Sequence, residues 1–213
     1  MEAKDFRLLV LGSSHVVRLE RYIQKLGWKG FWVRAAPVWF LGMSGGRVRE
    51  EKFIEMVDEF CGGQWKGFFD IVFVILGGNE LCDREATAQG VAGDLIKFGE
   101  DLVNFYGFKK VIFSEVFYRF ECNRYMNDIS VDQFNGRVAE INELLGKKLT
   151  EHGHISFWKY KYDLRKPGLR DVDGIHFSEL FGQEKLIGSL RRAFWYHLQR
   201  AKGIQIKQYR YLC

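Results

Sequence analysis

The sequence predicts a three-layer, doubly wound α/β domain in which helices cover both faces of a parallel five-stranded sheet. Short apolar runs alternate with longer amphipathic segments, as in βαβ units joined by right-handed crossovers. The most apolar run, IVFVIL at residues 71–76, carries no charge, which is typical of a strand buried on both faces. We therefore expect a flavodoxin-like strand order, 2-1-3-4-5, with residues 71–76 in an inner strand.

The first half of the chain supplies three of the predicted strands. In order, the predicted elements are a strand at 6–11, a helix from Ser13 or Ser14 to about Leu26, a strand at 31–41, a helix at 47–60 and the strand at 71–76. A serine favours a helix start because its hydroxyl accepts a hydrogen bond from a free backbone N–H. Pro37 indicates that the second strand is bent or lies at an edge, because proline has no N–H to donate.

The second half continues the alternation without a linker or a repeat. The predicted elements are a helix from about 89 to 106, a strand at 110–116, a helix at 131–151, a strand at 154–158 and a helix at 178–200. Apolar residues recur on the last helix at Leu180, Leu186, Ile187, Leu190 and Phe194. We interpret residues 1–203 as a single domain and residues 204–213 as a basic C-terminal tail.

Composition excludes several classes of protein. Hydrophobic residues make up 47% and charged residues 28% of the 213 residues, which is the balance of a folded protein. No apolar run approaches the roughly 20 residues that cross a bilayer. The start of the sequence lacks a signal-peptide pattern, so an intracellular, cytoplasmic location is expected. The cysteines form no CxxC and are expected to be free thiols: Cys61, Cys82, Cys122 and Cys213.

Positive charge is concentrated at the C-terminal end. From residue 183 onward the only acidic side chain is Glu184, and the basic ones are Lys185, Arg191, Arg192, Arg200, Lys202, Lys207 and Arg210. Such a surface can bind nucleic acid or anionic lipid. The candidate residues for this are Arg191, Arg192, Arg200 and Lys202. A solvated helix face is the alternative interpretation, and it is the more common one.

Four short polar segments follow predicted strands or precede the last helix. They are Gly12-Ser-Ser-His15, Met43-Ser-Gly-Gly46, Gly77-Gly-Asn-Glu80 and Asp173-Gly-Ile-His176. In a doubly wound sheet these segments meet at the carboxyl ends of the strands, where ligands bind. Each alone is typical of a helix cap or a turn. Together they contain the hydroxyl, imidazole, carboxylate and oxyanion donors that an acyl-transfer site needs.

Residue types and spacing suggest a role for each segment. A serine at the start of the first helix, Ser13 or Ser14, is a candidate nucleophile, because its hydroxyl there lies near unpaired backbone N–H groups. Asp173 and His176 share one loop, so the carboxylate can hold one ring nitrogen while the other faces the serine. A glycine after the second strand lets the backbone approach a substrate, and the Asn79 amide can donate a further hydrogen bond.

The four segments, in this order, resemble the four signature blocks of the SGNH, or GDSL, hydrolases over nearly the whole chain. The resemblance implies a catalytic triad of Ser14, Asp173 and His176, with an oxyanion hole formed by Ser14, Gly45 and Asn79. It also implies hydrolysis of carboxylic esters, thioesters or sugar O-acetyl groups through an acyl-enzyme, without a cofactor or a metal.

The sequence departs from the family pattern at two positions. Ser13 replaces the Asp that usually precedes the nucleophile, and Glu80 replaces the Asp that usually follows the matched asparagine. Neither position belongs to the triad. We expect the serine to weaken the hydrogen bonding of the first loop, so that catalytic efficiency is affected more than the fold.

A narrower likeness covers residues 173–193, Phe134-Asn135 and Asn142-Glu-Leu-Leu145. These segments resemble the esterase-like domains in open reading frames of animal LINE-type retrotransposons. That resemblance implies association with nucleic acid or membrane lipid, for which the basic C-terminus is suited.

Two other interpretations stand beside the triad. Gly42-Met-Ser-Gly-Gly46 matches the GxSxG nucleophile elbow of α/β-hydrolases, with Ser44 as nucleophile, although too few strands precede it for that fold. A catalytically silent module could keep the scaffold and bind polyanions through its basic C-terminus and the tyrosines Tyr209 and Tyr211.

The aromatic segment 115–120 is interpreted as a pocket wall or as core. The remaining histidines are interpreted as surface or packing residues: His15, His152, His154 and His197.

Overall fold

The computed structural model of the protein describes residues 6–27, 31–33, 36–121, 129–149, 153–160, 164 and 166–201. Within these ranges a six-stranded sheet lies between two layers of helices. The strands are β1 (Leu8–Gly12), β2 (Phe31–Val33), β3 (Ala36–Gly42), β4 (Ile71–Ile75), β5 (Lys110–Ser114) and β6 (Ile155–Trp158). The helices are α1 (Ser14–Lys25), α2 (Glu51–Cys61), α3 (Ala88–Asn104), α4 (Val131–Lys148) and α5 (Gly182–Ala201).

The strand order is β2-β3-β1-β4-β5-β6, and every pairing except β2–β3 is parallel. The five parallel strands follow the predicted 2-1-3-4-5 order, which confirms the fold class. The predicted single strand at 31–41 is wrong in detail. It consists of two strands paired antiparallel, so β2 forms the edge and the strand that contains Pro37 is internal. Pro37 is tolerated there because the ladder with β1 begins one residue later, at Val38.

The core forms two layers, one on each face of the sheet, because successive residues of a strand point to opposite faces. On one face Val72 and Val74 pack among residues of α2, α3 and α4. On the other, Ile71, Phe73 and Ile75 pack among residues of α1 and α5. These alternating positions explain why β4 has no polar residue, since both of its faces are buried.

Two helix starts differ from the prediction. Helix α2 begins at Glu51 rather than at 47, because the preceding segment is held as a loop by a hydrogen bond from Val48 N to Glu80 Oε1 (2.9 Å). Helix α5 begins at Gly182 rather than at 178, and Leu180, predicted on its apolar face, is 77% exposed in the preceding turn.

The predicted basic tail, with Lys202, Lys207 and Arg210, lies outside the described residues, as do Tyr209 and Tyr211. Cys122, Cys213 and His152 also lie outside them, whereas Cys61 and Cys82 are buried free thiols. Among the residues that the structure describes, none of the helices has the length and apolar character needed to span a membrane.

Candidate active site

All four polar segments predicted from the sequence contribute to one cavity of about 470 Å³ at the carboxyl ends of the parallel strands. Ser13 and Ser14 follow β1, Ser44 and Gly45 follow β3, and Gly78 and Asn79 follow β4. The loop before α5 closes the cavity with Ile175 and His176. The volume is within the usual range for small-molecule sites.

Ser14, His176 and Asp173 form a continuous chain of hydrogen bonds. Ser14 Oγ lies 2.8 Å from His176 Nε2, and His176 Nδ1 lies 2.7 Å from Asp173 Oδ2. Ser14 is the first residue of α1, where it projects from the end of the central strand β1. This geometry allows the imidazole to take a proton from the serine hydroxyl while the carboxylate fixes the tautomer of the ring.

The loop that carries Asp173 and His176 is a tight turn stabilised by its own carboxylate. Asp173 Oδ1 accepts hydrogen bonds from the backbone N–H groups of Ile175 and His176, both at 2.9 Å. Gly174 in this turn has φ of +64°, and a Cβ atom there would lie 2.5 Å from Glu121 Cγ. Only glycine adopts this conformation at low cost. Position 174 is therefore restricted to glycine by the fold, in addition to the two polar positions of the loop.

The electrostatics of the two groups favour a charged acid and a neutral base. Burial raises the pKa of Asp173, but hydrogen bonds from the His176 ring and from two backbone N–H groups outweigh it and lower the pKa to about 2. Burial also lowers the pKa of His176, and the nearby Arg18 acts in the same direction, although the bond to Asp173 opposes both. His176 is therefore neutral near pH 7 and able to accept a proton.

The three predicted oxyanion donors lie around the same cavity as Ser14 Oγ. Gly45 has φ of +84°, and no atom lies within 4 Å of a Cβ built on it, so its backbone is open to a ligand. The Asn79 side chain is held in place because Nδ2 donates to Gly46 O at 3.2 Å. One amide hydrogen of Asn79 remains for a ligand, since the NH₂ group has two.

Glu80 connects two of the loops that line the site. Its Oε1 atom accepts the bond from Val48 N, so the segment after β4 is tied to the segment before α2. Burial raises the pKa of Glu80, and hydrogen bonds from backbone N–H groups only partly oppose that effect. Glu80, where the resembling family usually has Asp, therefore stabilises the contact between these two loops.

Ser13, the other departure, is buried, and its hydroxyl forms no capping bond to α1. The Ser13 backbone holds the loop in place instead. Ser13 N donates to Ile75 O at 3.2 Å, and Ser13 O accepts from Val16 N at 2.9 Å. The first loop is thus fixed to β4 through main-chain atoms, and its geometry does not require a carboxylate at position 13.

Two side chains in the site, Arg18 and Arg119, were not predicted, and a third, His15, packs as predicted but lies close to the triad. Arg18, one turn after Ser14 on α1, donates to Asp171 at 3.0 Å and to Asp173 at 3.2 Å. Arg119, from the segment after β5, lines the cavity. His15, interpreted as a surface or packing residue, does pack against Phe117 at 4.9 Å, but its ring also lies 5.0 Å from the ring of His176. Burial keeps the pKa of His15 well below its usual range, and the nearby His176 ring and Arg170 lower it further.

The remaining predictions are placed as follows. Ser44 is exposed at the cavity, whereas the hydrogen bond of His176 Nε2 goes to Ser14. The 115–120 segment fits both interpretations, because Val116 and Phe117 line the cavity and are also buried in the core. His154 is exposed and His197 is buried, where desolvation lowers its pKa to about 3. The described residues contain no group of three or more potential ligands arranged to hold a metal ion.

No protein-family model matches the sequence, and neither does any curated protein. Solved structures do match. A GDSL-like lipase from Bacteroides thetaiotaomicron has 17% identity and a TM-score of 0.61, over 92% of this chain and 91% of that chain. A carbohydrate esterase family 3 protein from Talaromyces cellulolyticus has 12% identity and a TM-score of 0.61, over 92% and 99%.

A third structure, of a catalytic mutant of an acetylxylan esterase from Geobacillus stearothermophilus, has 16% identity and a TM-score of 0.52, over 88% of this chain and 93% of that chain. At this level of identity the likeness concerns the fold alone. The chain thus has the α/β fold found in GDSL-type hydrolases and esterases, as the four sequence segments predicted.

Proposed function

We propose that the protein is a serine esterase of the SGNH type, which cleaves carboxylic esters, O-acetyl groups or thioesters through an acyl-enzyme. The observation that carries this proposal is the hydrogen-bonded chain from Ser14 Oγ through His176 to Asp173, at 2.8 Å and 2.7 Å, beside an open cavity. A chain with these distances is what general-base activation of a serine requires.

In the acylation step, Ser14 Oγ attacks the carbonyl carbon of the ester while its proton moves to His176 Nε2. The carbonyl oxygen becomes an oxyanion, and the groups proposed to stabilise it are the Ser14 and Gly45 N–H groups and the Asn79 amide. When the tetrahedral intermediate collapses, the bond to the leaving alcohol breaks and His176 donates the proton to that alcohol. The acyl group then remains on Ser14.

In the deacylation step, water takes the place of the alcohol. His176 removes a proton from the water as it attacks the acyl-enzyme carbonyl, and it returns that proton to Ser14 Oγ as the ester bond to the serine breaks. Asp173 keeps its negative charge throughout and stabilises the imidazolium that forms in each half of the reaction. The low pKa of Asp173, about 2, agrees with this role.

Labelling with a fluorophosphonate tests the assignment directly. We expect the wild-type protein to be labelled at Ser14 and to hydrolyse short-chain nitrophenyl esters. Ser14→Ala should lose both properties, whereas the matched variant Ser44→Ala should keep the label on Ser14, which peptide mapping would identify. A label on Ser44 would favour the elbow mechanism, and absence of both label and turnover would favour a silent module.

A second candidate function is polyanion binding by the last helix, and one observation favours it. Trp32, which is 53% exposed, lines a groove together with Arg191, Arg192 and Trp195. Aromatic rings interleaved with arginines suit single-stranded nucleic acid, because bases stack on the rings and phosphates pair with the guanidinium groups. This is the use that the resemblance to retrotransposon domains implies for the basic C-terminus.

Salt dependence separates this function from catalysis. Replacing Arg191, Arg192, Arg200 and Lys202 by glutamine should weaken binding to single-stranded RNA and reduce the slope of log K against log salt by up to about 3. Turnover of a neutral ester should be nearly unchanged. A variant in which Lys147 and Lys148 of α4 are replaced by glutamine controls for a general loss of positive charge. Loss of turnover in the folded variant would show that the two roles are not separate.

A further inference from the structure

Arginine is the most frequent charged side chain in the lining of the cavity. Among its described lining residues are four arginines and only one carboxylate, Glu115: the arginines are Arg18, Arg21, Arg47 and Arg119. Glu115 is already engaged, because its Oε2 atom accepts from Tyr160 N at 2.9 Å. A cleft lined mainly by one sign of charge concentrates ligands of the opposite sign.

Two of these arginines are partnered by carboxylates. Arg18 pairs with Asp171 and Asp173, and Arg47 pairs with Asp83 at 2.5 Å. Arg119 differs from both. It is only 6% exposed, and within the described part of the chain it forms no ion pair.

Neutral groups hold the Arg119 side chain in place. Nη1 donates to Cys82 Sγ at 2.9 Å, Nη2 donates to Gly78 O at 3.2 Å, and the guanidinium lies 4.4 Å from the centre of the Phe134 ring. Burial raises the pKa of the Cys82 thiol, so this sulfur is not a thiolate counter-ion. A buried guanidinium without a carboxylate is costly unless an anion joins it.

The backbone of Arg119 is also fixed. Asn135 on α4 accepts from Arg119 N at 2.9 Å and donates to Arg119 O at 2.8 Å. The guanidinium is therefore pre-organised, and the two bonds above use only part of the five N–H donors that an arginine has. It lies beside the proposed oxyanion site, since its partner Gly78 directly precedes Asn79.

We propose that the ester substrate of this site carries an anionic group, a carboxylate or a phosphate, which Arg119 binds inside the cavity. The inference rests on the proposed esterase function and specifies its substrate class. Arginine suits both anions, because its planar fork can donate two parallel hydrogen bonds to either. The anionic group supplies the negative charge that the described protein groups do not provide to Arg119.

Matched esters test this inference. On the acyl side, 4-nitrophenyl hemiglutarate is compared with its neutral methyl ester, methyl 4-nitrophenyl glutarate. On the alcohol side, 3-acetoxybenzoate is compared with its methyl ester. For phosphate, 4-acetoxyphenyl phosphate is compared with its neutral dimethyl ester. After correction for uncatalysed hydrolysis, we expect kcat/KM to be on the order of 10- to 100-fold higher for at least one anionic ester than for its neutral partner.

Variants at Arg119 assign the preference to this residue. Arg119→Met should bring the anionic-to-neutral ratio close to 1, and Arg119→Lys should retain part of it because the charge is kept. The control is Arg49→Met, which removes an arginine that pairs with Asp94 and does not line the cavity. Fluorophosphonate labelling of Ser14 in each variant reports whether the site is still assembled.

The outcomes distinguish the two proposals. If neutral esters are hydrolysed and Ser14 is labelled, but no anionic ester is preferred, the esterase function stands and the anionic substrate is wrong. A preference that survives in Arg119→Met overturns the role of that residue. If Arg119→Met does not fold, the wild-type ratios and Arg119→Lys still decide. Absence of both turnover and labelling in the wild type contradicts the esterase function itself.

Discussion

Replacing Asp173 by asparagine changes one atom of the proposed triad and leaves its shape intact. Asp173 Oδ1 accepts two backbone N–H groups, and Oδ2 accepts from His176 Nδ1 and from Arg18 Nη2. An asparagine can keep the backbone bonds only if its NH₂ group takes the position of Oδ2. That NH₂ group then faces His176 Nδ1, which forces the imidazole proton onto Nε2. A protonated Nε2 cannot accept the proton of Ser14.

The size of the loss follows from the bonds that disappear. The bond of Oδ2 to His176 is charge-assisted, at 2.7 Å, and it strengthens as the imidazolium forms. Such a bond contributes roughly 1.5–3 kcal/mol, which corresponds to roughly a 10- to 100-fold loss of kcat. The wrong tautomer of His176 adds to this loss, so the total reaches up to about 10⁴-fold.

Asp171 offers a matched control for this experiment. It also binds Arg18, at 3.0 Å, and its Oδ1 atom accepts from Val172 N, but it does not contact the His176 ring. We expect Asp171→Asn to change kcat for 4-nitrophenyl acetate by less than a few fold. Steady-state kinetics and the rate of fluorophosphonate labelling, measured on both variants beside the wild type, give two independent readings of Ser14 nucleophilicity.

Two results would refute the reasoning. Activity of Asp173→Asn within tenfold of the wild type would mean that the carboxylate does not set the tautomer of His176. An equal loss in Asp171→Asn would mean that the ion pairs of Arg18, and not the bond to the imidazole, determine activity. Circular dichroism must show that both variants are folded, because Asp173 also stabilises its own turn.

Two further predictions concern the same site. Asn79→Ala should lower kcat on the order of 100- to 1,000-fold with little change in KM, because an oxyanion donor acts mainly in the transition state; a raised KM at unchanged kcat would instead indicate a role in substrate binding. The acidic limb of kcat/KM should have its midpoint below pH 6.5, since the folded site lowers the pKa of His176 and the base must be neutral. In Arg18→Gln this midpoint should move to higher pH, because a positive charge that lowers the pKa of His176 is removed; a pH profile identical to the wild type would contradict that electrostatic role.

The parallel core of the fold could be predicted because its strands are short, uninterrupted apolar runs that end at a glycine or a polar loop. The β2–β3 pair could not. Residues 31–41 are apolar except for Arg34, and one charged residue is not enough to predict their division into Phe31–Val33 and Ala36–Gly42, which depends on the pairing of Trp32 with Pro37. Similarly, α2 begins late because of Glu80, a residue from a distant loop.

In the candidate site, too, residues with a local sequence signal could be predicted, and those placed by distant contacts could not. Ser14, Asp173 and His176 could be proposed from short motifs together with the topology of the sheet. Arg18 had a usable signal, since a helical spacing of four places it on the same face as Ser14. Arg119 had none, because its place in the cavity depends on Asn135 and Phe134 of α4, which contact it only in the folded chain.

The hydrogen bond between Ser14 and His176 joins residues 162 positions apart, so the site is assembled from the two ends of the domain. Helix α5, which follows the His176 loop, packs on the sheet through Phe194 and Phe73, whose rings lie 6.0 Å apart. During synthesis the serine therefore emerges long before its base, and nascent chains that lack α5 are expected to be inert toward esters. After dilution from denaturant, the rate at which fluorophosphonate labelling recovers would report the formation of the complete fold. Helix content would recover earlier.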